Sequence, residues 1–247
     1  MSRNLAFILV LACTLGACAS DDAVPAEAGS PRSAVPAGIN ARFLDPDLDA
    51  RAWVDRWEVE SREVYVARRH IVAACGLREG DRIADVGAGT GLFMEPFARA
   101  VGDTGRVLEV EIAPRFVDHL RRRAREEGHA KVEIVASTET STELPPDSVE
   151  CVFVCDTYHH FEYHRAMLAS IHSALRPGGR LVIVDFERIP GVSRPWILGH
   201  VRCGKDQVRR EVEEAGFVFE DELEVPRFHE NYLLRFRIPG QSEPRGL

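Results

Sequence analysis

The stretch RIADVGAGTG, residues 82–91, decides how this chain is read. Arg82–Val86 is a short apolar run, Gly87, Gly89 and Gly91 follow at alternate positions, and LFMEPFARAV (92–101) has helical spacing of its apolar residues. A strand that turns through glycines into a helix aims backbone amides at a ligand, and the missing side chains let that ligand come close. The spacing here is GxGxG. A dinucleotide site wants GxGxxG, and Leu92 stands where its last glycine would be. The loop therefore points to a ligand without a pyrophosphate.

Downstream of this unit, strand and helix alternate. The strands are RVLEVEI (106–112), VEIVAS (132–137), VECVFVCD (149–156) and LVIVDF (181–186), with helices at 114–128 and 161–175 and a turn RPGGR at 176–180. Such alternation predicts parallel strands joined by crossover helices, with helices on both faces of an open, Rossmann-like α/β sheet. After an insert around 190–204 comes a helix at 205–216, then two strands, FVFEDELEV and NYLLRFRI, with only PRFHE between them. That connection is too short for a crossover, so the sheet is expected to close on an antiparallel hairpin. Upstream, residues 48–77 are expected to form one long or two shorter helices on the spacing of Trp53, Val54, Trp57, Val64, Val66, Ile71 and Val72.

The first 40 residues follow a different grammar. Arg3 precedes an apolar run, Leu5–Leu15, that is too short to span a bilayer and reads as a signal peptide. Leu15-Gly16-Ala17-Cys18 resembles the lipobox of bacterial lipoproteins, which implies lipidation at Cys18, membrane attachment and a place in the cell envelope; without such a signal the chain would be cytoplasmic. Residues 19–40, rich in Ala, Pro, Ser and Gly, read as a flexible tether, leaving 41–247 as the folded domain.

With 45% hydrophobic and 28% charged residues, the composition is globular, and a net charge of −8 argues against a nucleic-acid partner. The one basic cluster, RRRAR (121–125), is expected to be a solvated helix face. Cys151 and Cys155 lie four strand steps apart, about 13 Å, beyond disulfide reach. With no CxxC pair, neither a disulfide framework nor a metal centre is expected.

Four motifs in order, DVGAGTG (85–91), an acidic strand end at Glu111, LPPDSVECVFVCDTYHHF (144–161) and LRPGGRLVIVDF (175–186), resemble the class I S-adenosylmethionine-dependent methyltransferases, nearest their small-molecule and quinone branch. The resemblance covers about residues 77–238. It implies a seven-stranded sheet whose last strand is antiparallel, and S-adenosylmethionine as cofactor. By the same resemblance, Gly87, Ala88, Gly89 and Gly91 would contact the cofactor through their backbone, Asp85 would anchor the loop and the cofactor's amino group, and Glu111 would accept from the two ribose hydroxyls. Glu109 is read as alternating to the other side. Ser137 and Thr138 stand where relatives carry an adenine-binding Asp, and Asp156 would face the methionine part or the acceptor.

A base is needed only if the acceptor must lose a proton. His159, His160 and His200 are the candidates, since imidazole titrates near neutrality. Tyr158, Trp196 and Arg202 are expected at the acceptor pocket, and Tyr65 with Arg62 over the cofactor. The resulting expectation is methyl transfer to a small, possibly hydrophobic acceptor. Two alternatives stand beside it: a cofactor-binding module of the same fold without turnover, and a metalloid or thiol methyltransferase using Cys155 and Cys203.

Overall fold

The computed structural model describes residues 35–240. The expected signal peptide, Cys18 and most of the tether lie outside these residues.

The sheet has seven strands in the order β3-β2-β1-β4-β5-β7-β6. These are β1 (Arg82–Val86), β2 (Arg106–Glu111), β3 (Val132–Ala136), β4 (Val149–Cys155), β5 (Leu175–Phe186), β6 (Val218–Glu222) and β7 (Asn231–Arg237). The first five pair in parallel, and β7 runs against both of its neighbours, as the short hairpin connection predicts. The turn expected at 176–180 is instead taken into an irregular start of β5: Val149 pairs with Leu175, then the register jumps to Cys151 opposite Arg180.

The central strands are apolar on both faces because both are covered. Ile83, Val107, Phe153 and Val182 point to one face, where α2 (Glu63–Ala74) and α3 (Met94–Ala100) pack through Ala67, Ile71 and Phe97. Farther out on this face, α4 (Pro114–Glu126) lays Leu120 and Ala124 against Val132 and Ile134. Ala84, Val110, Val152 and Ile183 point the other way, onto Leu168 and Ile171 of α5 (His164–Ala174) and Val208 and Val212 of α7 (Lys205–Glu214). Pro114 opens α4 at a position where its missing N–H costs nothing.

Residues 48–77 form two helices, α1 (Ala50–Trp57) and α2. Asp49 caps α1 by accepting from the Arg51 amide at 2.9 Å. The insert contributes a short helix, α6 (Pro195–His200). The fold also reaches into the expected tether: Ile39 is buried, and the Asn40 side chain donates to the His160 carbonyl and to Glu162 Oε1, each at 3.1 Å. Residues 35–62 thereby form a cover across the ends of the strands.

RRRAR is not uniformly solvated. Arg121, Arg122 and Arg125 are exposed, but Arg123 turns inward. Its Nη1 donates to Glu58 Oε1 at 2.6 Å and to the Thr90 carbonyl at 2.9 Å, tying α4 to the cover and to the glycine loop.

Candidate active site

Beneath the cover, at the C-terminal edge of β1, β2, β4 and β5, lies a continuous cleft of about 580 Å³. That size suits a cofactor-scale ligand, since such pockets span about 300–1,000 Å³. One end is built from the glycine loop and the other from histidines and aromatic rings.

At the loop end, Gly87, Gly89 and Gly91 all have positive φ, as the turn demands. A Cβ on Gly87 would stand 2.3 Å from Thr157 Cγ2, and one on Gly89 would stand 3.0 Å from the Trp57 ring. Asp85, Gly87, Ala88, Gly89 and Glu111 line the cleft. Gly91 does not; it is packed beneath the loop, where an added Cβ would meet Leu120 Cδ2 at 2.8 Å.

Glu111, rather than Asp85, anchors the loop. Its Oε2 accepts from the Gly89 amide and its Oε1 from the Ala113 amide, both at 2.8 Å. Each oxygen keeps a further lone pair, so the carboxylate can still meet two hydroxyls. Burial outweighs these bonds and raises its pKa.

Glu109 corrects a reading of the sequence. Residues two apart on a strand share a face, so Glu109 points the same way as Glu111. In register it lies beside Asp85, and both side chains are buried. Both Glu109 oxygens lack a hydrogen-bond partner. Burial, with the neighbouring carboxylates adding to it, raises Asp85 to about 8 and Glu109 well above the usual carboxylate range. The strand floor under the loop is therefore a pair of acids that hold their protons.

Between the two ends stands Asp156, at φ 48°, a left-handed conformation that Asp tolerates better than most residues. It pairs with Arg62 and accepts from Asn231 Nδ2 at 2.9 Å. Burial raises it to about 6 against the pull of Arg62.

At the far end, the expected histidines meet. The ring centroids of His159 and His160 are 4.3 Å apart, and His200 lies 5.1 Å from each. His159 Nδ1 bonds Asp185 Oδ1 at 2.7 Å, His160 Nδ1 bonds Asn40 Oδ1 at 3.0 Å, and His200 stacks on Trp196. Burial lowers His160 well below the usual range and His200 to about 4, with mutual repulsion among the rings adding to it. Both rings are consequently neutral at pH 7, able to accept a proton or donate a lone pair.

Other expected positions lie elsewhere. The Ser137 amide is spent on the Glu111 carbonyl, and Thr138 Oγ1 closes a local turn by accepting from Thr140 and Ser141; neither lines the cleft. Tyr158 and Arg202 are scaffold: the Tyr158 hydroxyl donates to Glu211 Oε2 at 2.8 Å and the Arg202 guanidinium forks onto the same carboxylate. Glu211 is itself buried, which would raise its pKa, yet Arg202 and Tyr158 hold it down to about 2. Tyr65 stacks under Arg68 away from the cleft, whereas Arg62 lines it. Burial pushes the Cys155 thiol well up and Cys203 to about 11, so neither supplies a thiolate near neutrality.

Sequence reasoning missed Asn40, Phe43, Trp57 and Asn231, all of which line the cleft. Trp57 was legible as a helical apolar position. Its contact with a glycine 32 residues away by number left no local signal.

Residues 84–183 match the family described as methyltransferase domain. The ubiquinone/menaquinone biosynthesis C-methyltransferase UbiE of Enterobacter sp. (strain 638) is 29% identical over 122 residues, covering 49% of this chain and 49% of that protein. This chain thus matches about half the length of such curated relatives. Among solved structures, a SAM-dependent methyltransferase from Aquifex aeolicus superposes with TM-score 0.67 at 22% identity, over 78% of this chain and 100% of that one. The [4+2]-cyclase SpnF gives 0.66 at 19% identity, over 86% and 100%. Residues 84–183 are thus similar to the methyltransferase-domain family, and the described residues share the seven-stranded Rossmann-like fold of the Aquifex methyltransferase structure.

Proposed function

We propose that this chain moves a methyl group from S-adenosylmethionine to a small acceptor held at the histidine end of the cleft. The observation that carries the reading is Glu111: a buried carboxylate that fixes the glycine loop and keeps lone pairs for a ribose diol. The residues present fit the cofactor. Gly87 and Gly89 leave room where a Cβ would collide, and Asp85, which lines the cleft, can ionise beside a cationic ligand. S-adenosylmethionine supplies a methyl group on a sulfonium, which already has a good leaving group.

What remains for the chain is placement, and oriented reactants can account for about 7–11 kcal/mol of barrier lowering. Phe43, Phe186 and Trp196 give the acceptor end an aromatic wall, which suits a flat or hydrophobic acceptor. His159, His160 and His200 are the groups there that could take up an acceptor proton. A second reading, cofactor binding in this fold with no methyl transfer, draws support from the likeness to a [4+2]-cyclase. Attachment to the cell envelope through Cys18 is likewise a proposal, supported by the apolar run and lipobox-like residues before it; among the described residues no helix is long and apolar enough to cross a membrane.

Calorimetric titration with S-adenosylmethionine and S-adenosylhomocysteine tests the first reading. The expected result is micromolar binding that falls at least 100-fold in Glu111→Gln, as two charge-assisted hydrogen bonds of about 1.5–3 kcal/mol each are weakened. Absence of binding to the folded chain would overturn it. Binding without product across phenols, quinols and amines would move the assignment to the second reading.

A further inference from the structure

The histidine end of the cleft is more ordered than proton transfer requires. His159, His160 and His200 each offer a ring nitrogen, and these three atoms lie within 4.8 Å of one another. In two of the rings a hydrogen bond decides which nitrogen is offered. Asp185 Oδ1 takes the Nδ1 proton of His159 at 2.7 Å. Its other oxygen, Oδ2, accepts from the His159 amide at 3.1 Å, so ring and backbone are held by one carboxylate. Asn40 Nδ2 is already donating to the His160 carbonyl and to Glu162, which leaves its Oδ1 to accept from His160 Nδ1 at 3.0 Å. Both imidazoles are thereby held through Nδ1, which leaves Nε2 as the nitrogen each has to offer. A partner on the distal ring nitrogen is what metal-ligating histidines have, and it sets tautomer, orientation and basicity together.

We propose that His159, His160 and His200 form a three-histidine site for a zinc-class divalent ion, with its remaining coordination position open to the cleft. Imidazole-only ligation suits zinc and its neighbours in the first transition row, and three protein ligands with one open position is the pattern of catalytic rather than structural zinc. At Zn–N distances of about 2.0–2.1 Å, tetrahedral ligands stand about 3.3 Å apart, so the rings close by roughly 1.5 Å at most, within the reach of side-chain rotation. The buried Asp185 carboxylate offsets the nearby Arg42 guanidinium, which would otherwise oppose a cation here.

The consequence for the acceptor rests on the methyl-transfer reading; the metal site does not. A hydroxyl ligated at the open position would lose its proton to solvent near neutral pH. The oxygen–methyl bond would then form as the sulfur–methyl bond breaks, leaving S-adenosylhomocysteine. That narrows the acceptor to a compound with a ligating hydroxyl.

The test is titration of the chelator-treated full chain with Co²⁺ and Zn²⁺. One equivalent of Co²⁺ should bind with the intense visible bands of four- or five-coordination, be displaced by Zn²⁺, and bind at least tenfold more weakly in His200→Ala and in His160→Gln. Asn40→Ala, which leaves all three ligands, should weaken binding by about tenfold through the freed His160 ring. Circular dichroism and thermal melting identify any variant that fails to fold, and the stoichiometry and spectrum of the unaltered chain stand without the variants. No stoichiometric binding, or binding indifferent to all three replacements, overturns the site. S-adenosylhomocysteine titrated into the same samples separates the two ideas: if it binds and Co²⁺ does not, only the metal site falls, and the reverse leaves the metal site without the methyltransferase reading.

Discussion

The two ends of the cleft are built by different rules. The loop end comes from one continuous stretch, strand β1 into the glycines, plus the tip of the adjacent strand β2; its key bond, Gly89 amide to Glu111, joins residues 22 apart. The histidine end is gathered from three remote places: Asn40 in the cover meets His160 across 120 positions, Asp185 holds His159 from the next strand, and His200 arrives on the insert helix α6. A backbone cradle needs local sequence, whereas a side-chain cluster needs the whole fold to be correct. The first should tolerate damage elsewhere in the molecule and the second should not.

The largest test of that contrast is Glu211→Ala. It strands the buried Tyr158 hydroxyl and Arg202 guanidinium behind the histidines, at a cost of about 3–5 kcal/mol. Urea denaturation should show the loss, while S-adenosylhomocysteine affinity of the surviving folded fraction stays within about threefold; a collapse of that affinity would break the distinction.

Next in size is Gly87→Ala. Positive φ and the Thr157 methyl together oppose the new Cβ, at a cost on the order of 3 kcal/mol. We expect cofactor affinity to drop about 100-fold with only partial recovery in Gly87→Ala/Thr157→Ala, because the backbone strain and the 2.8 Å approach to the residue-157 Cβ both remain. Full recovery would show that the clash alone mattered.

A third test uses pH. Asp85 is raised from its unfolded value to about 8, so the folded chain binds more protons than the unfolded one over the interval between. That group's contribution to stability therefore declines as pH rises toward 8 and changes no further above it. A cationic ligand that ionises Asp85 gains affinity over the same range, up to about tenfold per pH unit below 8. Calorimetry in buffers of different ionisation enthalpy should register proton release at pH 7. Affinity flat from pH 6 to 8 would remove Asp85 from the cofactor's surroundings.

The smallest expected effect is that of Trp196→Ala. This ring, 46% exposed, walls only the far end, so cofactor affinity should change less than about twofold while the apparent KM of any accepted methyl acceptor rises.

The same contrast explains what could be read from the sequence. Alternating strands and helices, the glycine spacing and the short link before β7 are local signals, and together they carried the sheet order's parallel core and its reversed strand. Glu109 was misplaced by a slip in strand parity rather than by missing information. Tyr158 and Arg202 sit beside the right residues in sequence but turn away from the cleft, where Glu211 on α7 captures both. Asn40 carried no signal and Trp57 only that of a helical apolar position, since their roles at the cleft exist only once the cover has folded back over β1 and β4.

The cover has a mechanical consequence. It is the most N-terminal part of the described residues, and Asn40, with Phe43 packed beside it, fastens it to the histidine cluster. Tension applied from upstream, as through the anchor proposed at Cys18, would reach the Asn40–His160 contact before it reached any of the seven described strands. Pulling on this chain would therefore open its cleft well before it unravelled its sheet.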